Sequence, residues 1–370
     1  MRIGVDAREL GDRPTGVGRY LRELLMRWQA DETCAGHELV LFTPRADQDT
    51  WTAPKGRGAR FAWQLVPGPG GTLWQQRDLA RAARAARLDV FFSPAYTAPL
   101  LVSMPSVVAQ HDVSFAAHPE WFAWRHGLRL RWLARWSARR AHTVLTLTQF
   151  SADQIEQYLG VARQRIRVIP LAVDYHDAAS HAAAAAPATP VVLFVGSIFE
   201  RRHLPLLIEG VALARRTIPG LRLQVIGENR TEPPQDLETI ARGFGAADAL
   251  QLRDYVSDAE LETAYAGAGV FAFLSEYEGF GLTPLEAMRH RIPTIVLDTP
   301  VAREVYGEGA SYVPAGDAHA VAAALASLLR DPVRRAAQIA AGDATVGRYR
   351  WHDAARATWD ALMAAAERRS

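Results

Sequence analysis

Apolar and polar positions along the chain follow a repeating rhythm in which short β-branched runs are each followed by a longer stretch with apolar positions three and four residues apart. In the first half the runs are Ile3 to Asp6, Leu39 to Phe42, Val90 to Phe92, Val107 to Gln110, Val144 to Leu147 and Ile166 to Ile169, with amphipathic segments such as Arg19 to Trp28 between them. Strands alternating with helices predict βαβ units and a parallel sheet. The rhythm lapses at Asp177-Ala-Ala-Ser-His-Ala-Ala-Ala-Ala-Ala-Pro-Ala-Thr-Pro190, an alanine-rich stretch closed by prolines, as expected of a linker. It then restarts with Val191 to Gly196, Leu221 to Gly227, Ala249 to Leu252, Val270 to Leu274, Thr294 to Leu297 and Ser311 to Val313. Trp351 to Arg368 reads as a final helix with a path back toward the first half. The expected organisation is therefore residues 1–177 as one Rossmann-like domain, 178–190 as linker, 191–348 as a second, and 349–370 as a C-terminal helix. In doubly wound sheets of this kind, ligands bind at the carboxyl ends of the strands.

Composition narrows the chemistry. The chain has 370 residues, 49% of them hydrophobic, enough for two cores of ordinary size. Lys55 is its single lysine and stands in a Pro/Gly/Arg-rich stretch, so neither a pyridoxal-phosphate Schiff base nor a P-loop lysine is on offer. One cysteine, Cys34, allows no internal disulfide framework and suits a reducing compartment, which makes the cytoplasm the expected location. The opening Arg2-Ile3-Gly4-Val5-Asp6 has no signal-peptide pattern, and no apolar run reaches membrane-spanning length. Residues 1–174 carry 23 basic and 16 acidic side chains, the remainder 19 and 24, so the first half is positive and the second negative. That asymmetry favours an anionic partner for the first half, a membrane surface or lipid phosphate, over nucleic acid, which asks for a denser basic stripe.

The chemistry concentrates in Ser275-Glu-Tyr-Glu-Gly-Phe-Gly-Leu-Thr-Pro-Leu-Glu-Ala-Met288, a glycine-rich turn between a predicted strand and a helix starting near Pro284. Glycines let backbone N–H groups approach a ligand, and the helix start favours negative charge, so a diphosphate is the natural guest. A carboxylate beside a phosphate would repel it unless it serves hydroxyl groups, as acidic residues do with ribose in dinucleotide folds. Glu278 and Glu286 suit that role. On spacing alone, however, Thr283-Pro284-Leu285-Glu286 is a capping box with proline at the first helical position, so Glu286 is also expected as a helix cap. Glu278 lies outside the helix and has no such alternative beyond a solvated loop carboxylate.

This window resembles the signature of the retaining GT-B glycosyltransferases of family 4, in which two glutamates separated by seven residues bracket a GFG turn. The resemblance implies two doubly wound Rossmann-like domains facing across a cleft. It also implies donor contacts from Glu278, from Gly279, Phe280, Gly281 and Leu282, and from Glu286 to the ribose. Asp6-Ala7-Arg8 followed by Thr15-Gly16-Val17-Gly18-Arg19-Tyr20 is similar to the family's first strand and glycine loop, which places Gly16 and Gly18 near the donor phosphate; taken alone, GxG before a helix reads equally as a plain turn. Gln110-His111-Asp112 matches the family's histidine-aspartate pair, making His111 a catalytic candidate, whereas a lone strand-end histidine is more often structural. Phe194-Val-Gly-Ser-Ile-Phe-Glu-Arg-Arg-His203 resembles the family's glycine and basic pair and brings in Gly196, Arg201 and Arg202. Arg202 stands in place of the usual lysine and His203 in place of asparagine, and arginine and lysine are not interchangeable. Arg201 reads equally as a solvated charge. Val225-Ile-Gly227, Tyr255-Val-Ser-Asp-Ala-Glu-Leu261 and Tyr349-Arg-Trp351 match the base pocket and the crossing helix. Arg289-His290-Arg291-Ile292-Pro293 departs where a glycine usually precedes the proline.

The resemblance further implies a retaining, metal-independent transferase with no cofactor. Its substrate is a nucleotide-diphosphate sugar such as a GDP- or UDP-sugar, and its acceptor a glycan, a lipid-linked saccharide or a small molecule. Arg202 neutralises the leaving diphosphate, and the departing phosphate takes the acceptor's proton. A non-catalytic nucleotide-sugar-binding scaffold and a nucleotide-sugar epimerase of the same architecture remain open beside it.

Trp121 to Arg140 has two readings. Trp121, Trp124, Trp132 and Trp136 among Arg125, Arg129, Arg131, Arg135, Arg139 and Arg140 suit an interfacial helix against anionic lipid, peripheral at the inner membrane face. The other reading is a domain helix that buries its tryptophans and solvates its arginines.

Overall fold

The computed structural model describes residues 1–10, 16–45, 56–173 and 190–367. The chain divides into two compact units, Met1–Leu171 with Arg350–Ser370, and Ala172–Tyr349. Of the segment expected as linker only Pro190 is described, and Lys55 and Thr15 also lie outside the described residues.

The first unit holds an all-parallel sheet of β1 (Arg2–Asp6), β2 (Glu38–Thr43), β3 (Arg60–Leu65), β4 (Val90–Ser93), β5 (Ser106–Ala109), β6 (Thr143–Thr146) and β7 (Ile166–Val168). Their spatial order is β3-β2-β1-β4-β5-β6-β7, so the winding reverses between β1 and β4. The central strands are buried along their length, which is why they read as continuous apolar runs. β3 has no such run. It is an edge strand, Arg-Phe-Ala-Trp-Gln-Leu, exposed or half-buried throughout, so half-solvated polar positions hide it from a search for apolar runs.

The helix Gly16–Ala30 buries Tyr20, Leu21, Leu24, Leu25 and Trp28, the spacing of a single helical face. Part of what covers it comes from the far end of the chain. The helix Trp351–Glu367 buries Trp351, Ala354, Ala355, Trp359, Leu362 and Ala365. The Trp28 indole donates to the Ala355 carbonyl at 2.9 Å, and its ring lies 5.5 Å from that of Trp359.

The second unit repeats the plan with β8 (Val191–Val195), β9 (Arg222–Ile226), β10 (Leu250–Arg253), β11 (Val270–Phe273), β12 (Thr294–Leu297) and β13 (Ala310–Val313). All neighbours run parallel in the order β10-β9-β8-β11-β12-β13, and the reversal falls between β8 and β11. Its core gathers the strand residues with Leu204, Leu207, Ile208, Val321, Leu325 and Leu328 from the covering helices. In such sheets the carboxyl ends of the strands beside the switch point are the usual ligand position.

Candidate active site

At the carboxyl ends of β8, β9 and β11, three turns meet. Gly196 follows β8 with φ +135°, and Gly227 follows β9 with φ +154°. A Cβ on Gly227 would stand 2.0 Å from the Gly196 carbonyl oxygen, so only glycine lets these two turns abut. The chain then enters the one-turn helix Glu200–Arg202, which carries both arginines. Arg201 lies over the Phe199 ring at 4.1 Å, and its carbonyl accepts from the Glu276 amide at 2.9 Å, tying this loop to the turn after β11. His203 makes a second tie, its Nε2 3.0 Å from a Glu276 oxygen.

Arg202 is held from several sides. Its Nη1 donates to the Ser197 carbonyl at 2.6 Å, while Nε and Nη2 donate to Glu278 Oε1 at 3.2 and 3.0 Å. The Phe273 ring lies 4.8 Å from the guanidinium. Glycine suits position 196 here too, because its φ of +135° strains any residue with a Cβ and that atom would stand 2.7 Å from Nη1. Glu278 Oε1 also accepts from the Ser275 hydroxyl at 2.9 Å, so three donors converge on one carboxylate oxygen. Both side chains of this pair are largely buried, 13% and 20% exposed, so solvent screens the pair less than a surface ion pair. A guanidinium keeps a second N–H on each Nη, so Arg202 can meet a further anion without releasing Glu278.

The helix after the turn spans Leu282–Arg289, two residues earlier than expected, with Gly281 at its N-cap in the left-handed region at φ +86° and no side-chain cap. The capping-box expectation for Glu286 is therefore corrected: Thr283 is already inside the helix, and the glutamate falls beyond capping reach. Glycine wins the cap position because a Cβ there would stand 2.0 Å from the Tyr306 Oη. That hydroxyl instead donates toward the carbonyls of Phe280 and Gly281 at 3.3 and 3.0 Å, and burial together with the nearby Glu278 charge holds its pKa well above the usual phenol range. Leu282 and Thr283 have no acceptor for their amides within the helix. Phe280 packs edge-on against Tyr349 at 5.1 Å and is buried, so its contribution to a ligand is its backbone. Glu286 points back from the helix toward Tyr265, whose hydroxyl donates to Oε2 at 3.1 Å; that ring stacks at 4.7 Å on His290, which lies in the Arg289–Pro293 segment that departs from the family pattern. Ser257 and Glu260 of the matched base-pocket segment form a capping box for the helix Asp258–Gly267.

The first unit gathers polar groups at its own switch point. Buried Asp6, at the end of β1, accepts from Gln75 Nε2 at 3.1 Å and lies 3.4 Å from the Arg8 guanidinium. His111 follows β5 and is buried between Tyr20 and Tyr96, both rings meeting it edge-on at 5.0 and 5.7 Å. Its Nε2 is 2.6 Å from the Pro94 carbonyl, which can only accept, so Nε2 carries the proton. Burial lowers its pKa below the ordinary value of 6.5 and favours a neutral imidazole. Asp112 holds the local loop together, accepting from Tyr96 Oη at 2.9 Å and from the Ser114 amide and hydroxyl at 2.8 and 2.6 Å. Gly16 and Gly18 are not in a loop but in the first turn of the helix Gly16–Ala30, and residues 11–15 before them lie outside the described residues.

The residues expected at the site thus fall in two groups. Gly196, Arg201, Arg202, Glu278, Gly279, Phe280, Gly281, Leu282 and Glu286 surround one switch point, and His111, Gly16 and Gly18 belong to the other unit. Ser275, Tyr306, Tyr265, Tyr20, Tyr96 and the Pro94 carbonyl are not apparent from sequence. Ser275 stands inside the glycine-rich window, and its place three residues before Glu278 is a usable signal, whereas Tyr306 reaches the turn from past another strand and leaves no local signal.

Two parallel-sheet α/β units with turns of this kind define the GT-B class. The first half matches the family described as Glycosyltransferase Family 4 over residues 14–177, and the second matches Glycosyl transferases group 1 over residues 178–344; the chain belongs to this family of glycosyltransferases. HepE of Anabaena, solved with UDP and glucose, superposes with a TM-score of 0.72 over 98% of this chain and 99% of that one at 18% identity. WaaG, a glycosyltransferase involved in lipopolysaccharide biosynthesis, gives 0.70 over 98% and 99% at 14% identity, so these likenesses are of fold. In sequence, the O-antigen chain mannosyltransferase B of Escherichia coli is 24% identical over 94% of this chain and 95% of that protein. A D-inositol 3-phosphate glycosyltransferase of Segniliparus rotundus is 32% identical over 59% of this chain, which spans about half of that relative's length at 50%.

Proposed function

We propose that the chain is a retaining, metal-independent glycosyltransferase that moves a hexosyl group from a nucleotide-diphosphate sugar, such as a GDP- or UDP-sugar, to the hydroxyl of a saccharide or lipid-linked acceptor. The observation that carries this reading is the Arg202–Glu278 pair set beside the Gly279–Leu282 turn at a sheet switch point. One oxygen of Glu278 is committed to Arg202 and Ser275, and the other is suited to hydroxyls of the transferred sugar. Arg202, Arg201 and the first-turn amides meet the diphosphate, and Glu286, oriented by Tyr265, meets the ribose.

In the reaction the bond between the anomeric carbon and the leaving phosphate oxygen breaks while the acceptor oxygen bonds to that carbon. The acceptor's proton passes to the departing phosphate. Negative charge grows on the diphosphate as the bond breaks, and groups already aimed at it stabilise that state more than the ground state. Arginine supplies the countercharge that other transferases take from a divalent cation. HepE was solved with UDP-glucose and WaaG acts in lipopolysaccharide biosynthesis, which supports a polysaccharide-building role. Among the described residues no helix is long and apolar enough to cross a membrane; buried Cys34 as the single cysteine supports a cytoplasmic setting.

Product analysis with donor and a saccharide acceptor tests the reading. The expected product keeps the donor's anomeric configuration, and a chelator leaves the rate unchanged. An inverted linkage, a rate abolished by chelator, or donor epimerised without acceptor would overturn it.

A further inference from the structure

The helix Trp124–Arg140 is amphipathic in an unusual sense. Its buried positions are Gly127, Leu133, Ala134, Ser137 and Ala138, four of the five being small. Ala134 and Ala138 join the core of the first unit around Val108, Phe115, Val144 and Ile155, and Ser137 Oγ accepts from the Ala98 amide at 2.9 Å. Leu130 and Leu133 face inward, but four other bulky apolar residues are turned outward: Trp124 is 71% exposed, Leu128 50%, Trp132 55% and Trp136 43%. This overturns the expectation that the helix buries its tryptophans. At every fourth position, these four form one continuous stripe along the outer face, and the Trp132 and Trp136 rings lie 6.2 Å apart.

Arginines border the stripe. Arg125, Arg129, Arg135, Arg139 and Arg140 are exposed, Arg131 is half-buried, and the helix contains no acidic residue. Water gives no reason to hold four large apolar side chains in the open, and a protein core would not accept six guanidinium groups beside them. A phospholipid surface accepts both, because tryptophan settles at the headgroup level while arginines pair with lipid phosphates above it. The positive excess of residues 1–174 has the matching sign.

We propose that the outer face of the helix Trp124–Arg140 docks the protein on an anionic phospholipid bilayer, with Trp124, Leu128, Trp132 and Trp136 entering the interface. The proposal is independent of the donor site, since it uses none of its residues.

The test is flotation of the purified full chain with vesicles of phosphatidylcholine alone and of phosphatidylcholine mixed with phosphatidylglycerol. The wild type floats with the mixed vesicles, is released by high salt, and stays unbound with phosphatidylcholine alone. A Trp124→Ser, Trp132→Ser, Trp136→Ser variant binds mixed vesicles at least ~10-fold more weakly, as does an Arg125→Glu, Arg129→Glu, Arg135→Glu variant. Both keep the wild-type melting temperature, because the exchanged side chains are turned to solvent. Absence of binding to mixed vesicles, binding unchanged in either variant, or a wild-type dimer that the tryptophan variant dissolves would overturn the proposal, the last assigning the face to a second copy of the chain.

Discussion

Arg202 does by geometry what a lysine at this position could not. Three of its N–H groups are spent on Ser197 and on one oxygen of Glu278, which fixes the guanidinium plane and leaves further donors on both Nη atoms. A lysine ammonium has three donors on one atom and cannot span the same contacts. Gly281 is constrained just as sharply. Gly281→Ala forces φ +86° on a residue with a Cβ and drives that atom into Tyr306, costing ~2 kcal/mol or more and lowering the melting midpoint by roughly 4 °C or more; an unchanged thermal melt would contradict this. His111 gives a pH signature. Its folded pKa is depressed by burial, so the folded state resists a proton that the unfolded chain accepts near 6.5. Its penalty is nil above that value and grows as the pH falls through it toward the folded pKa. Melting temperatures of wild type and His111→Gln between pH ~7.5 and ~5 should diverge in slope, the variant losing less on the acid side; parallel curves would show that the imidazole does not resist protonation.

Among elements, those with continuous apolar runs are legible in the sequence and those shaped by distant contacts are not. Val270 to Leu274 and Thr294 to Leu297 read directly from sequence because both faces of those strands are buried. β3 does not, since an edge strand needs no apolar run. The helix start near Gly281 is misplaced by sequence because Thr283-Pro284-Leu285-Glu286 satisfies a local capping rule, and only Tyr306, outside the window, makes the glycine cap preferable. The Trp124–Arg140 helix is legible as a pattern, but the direction its tryptophans face depends on the small residues that pack inward. The same distance hides Tyr265. With Glu286 at the ribose, Tyr265→Phe removes one donor to that carboxylate and should raise the donor KM roughly 5- to 10-fold with kcat within about twofold. Discrimination against a 2′-deoxyribose donor should shrink in parallel. Full sensitivity to Glu286→Gln with none to Tyr265→Phe would show that Tyr265 does not position the carboxylate, whereas insensitivity to both would remove Glu286 from the site.

At the scale of the molecule, the sequence rhythm delivers two sheets because each repeats the same βαβ unit, and the switch points tell where to look. The membership of the last helix is less accessible. Trp351–Glu367 belongs to the first unit although the chain reaches it from the second, and Trp28, Trp359 and the Ala355 carbonyl make that connection. Arg202, Glu278 and the Gly279–Leu282 turn, the groups proposed to hold the donor's diphosphate and sugar, all belong to the second unit. Titration calorimetry of UDP, GDP and their hexose conjugates measures their role most directly. The account predicts that at least one nucleotide diphosphate binds, that Arg202→Ala weakens it at least ~10-fold, and that Glu278→Ala removes only the added affinity of the sugar. Tight nucleotide-sugar binding untouched by either substitution would contradict it.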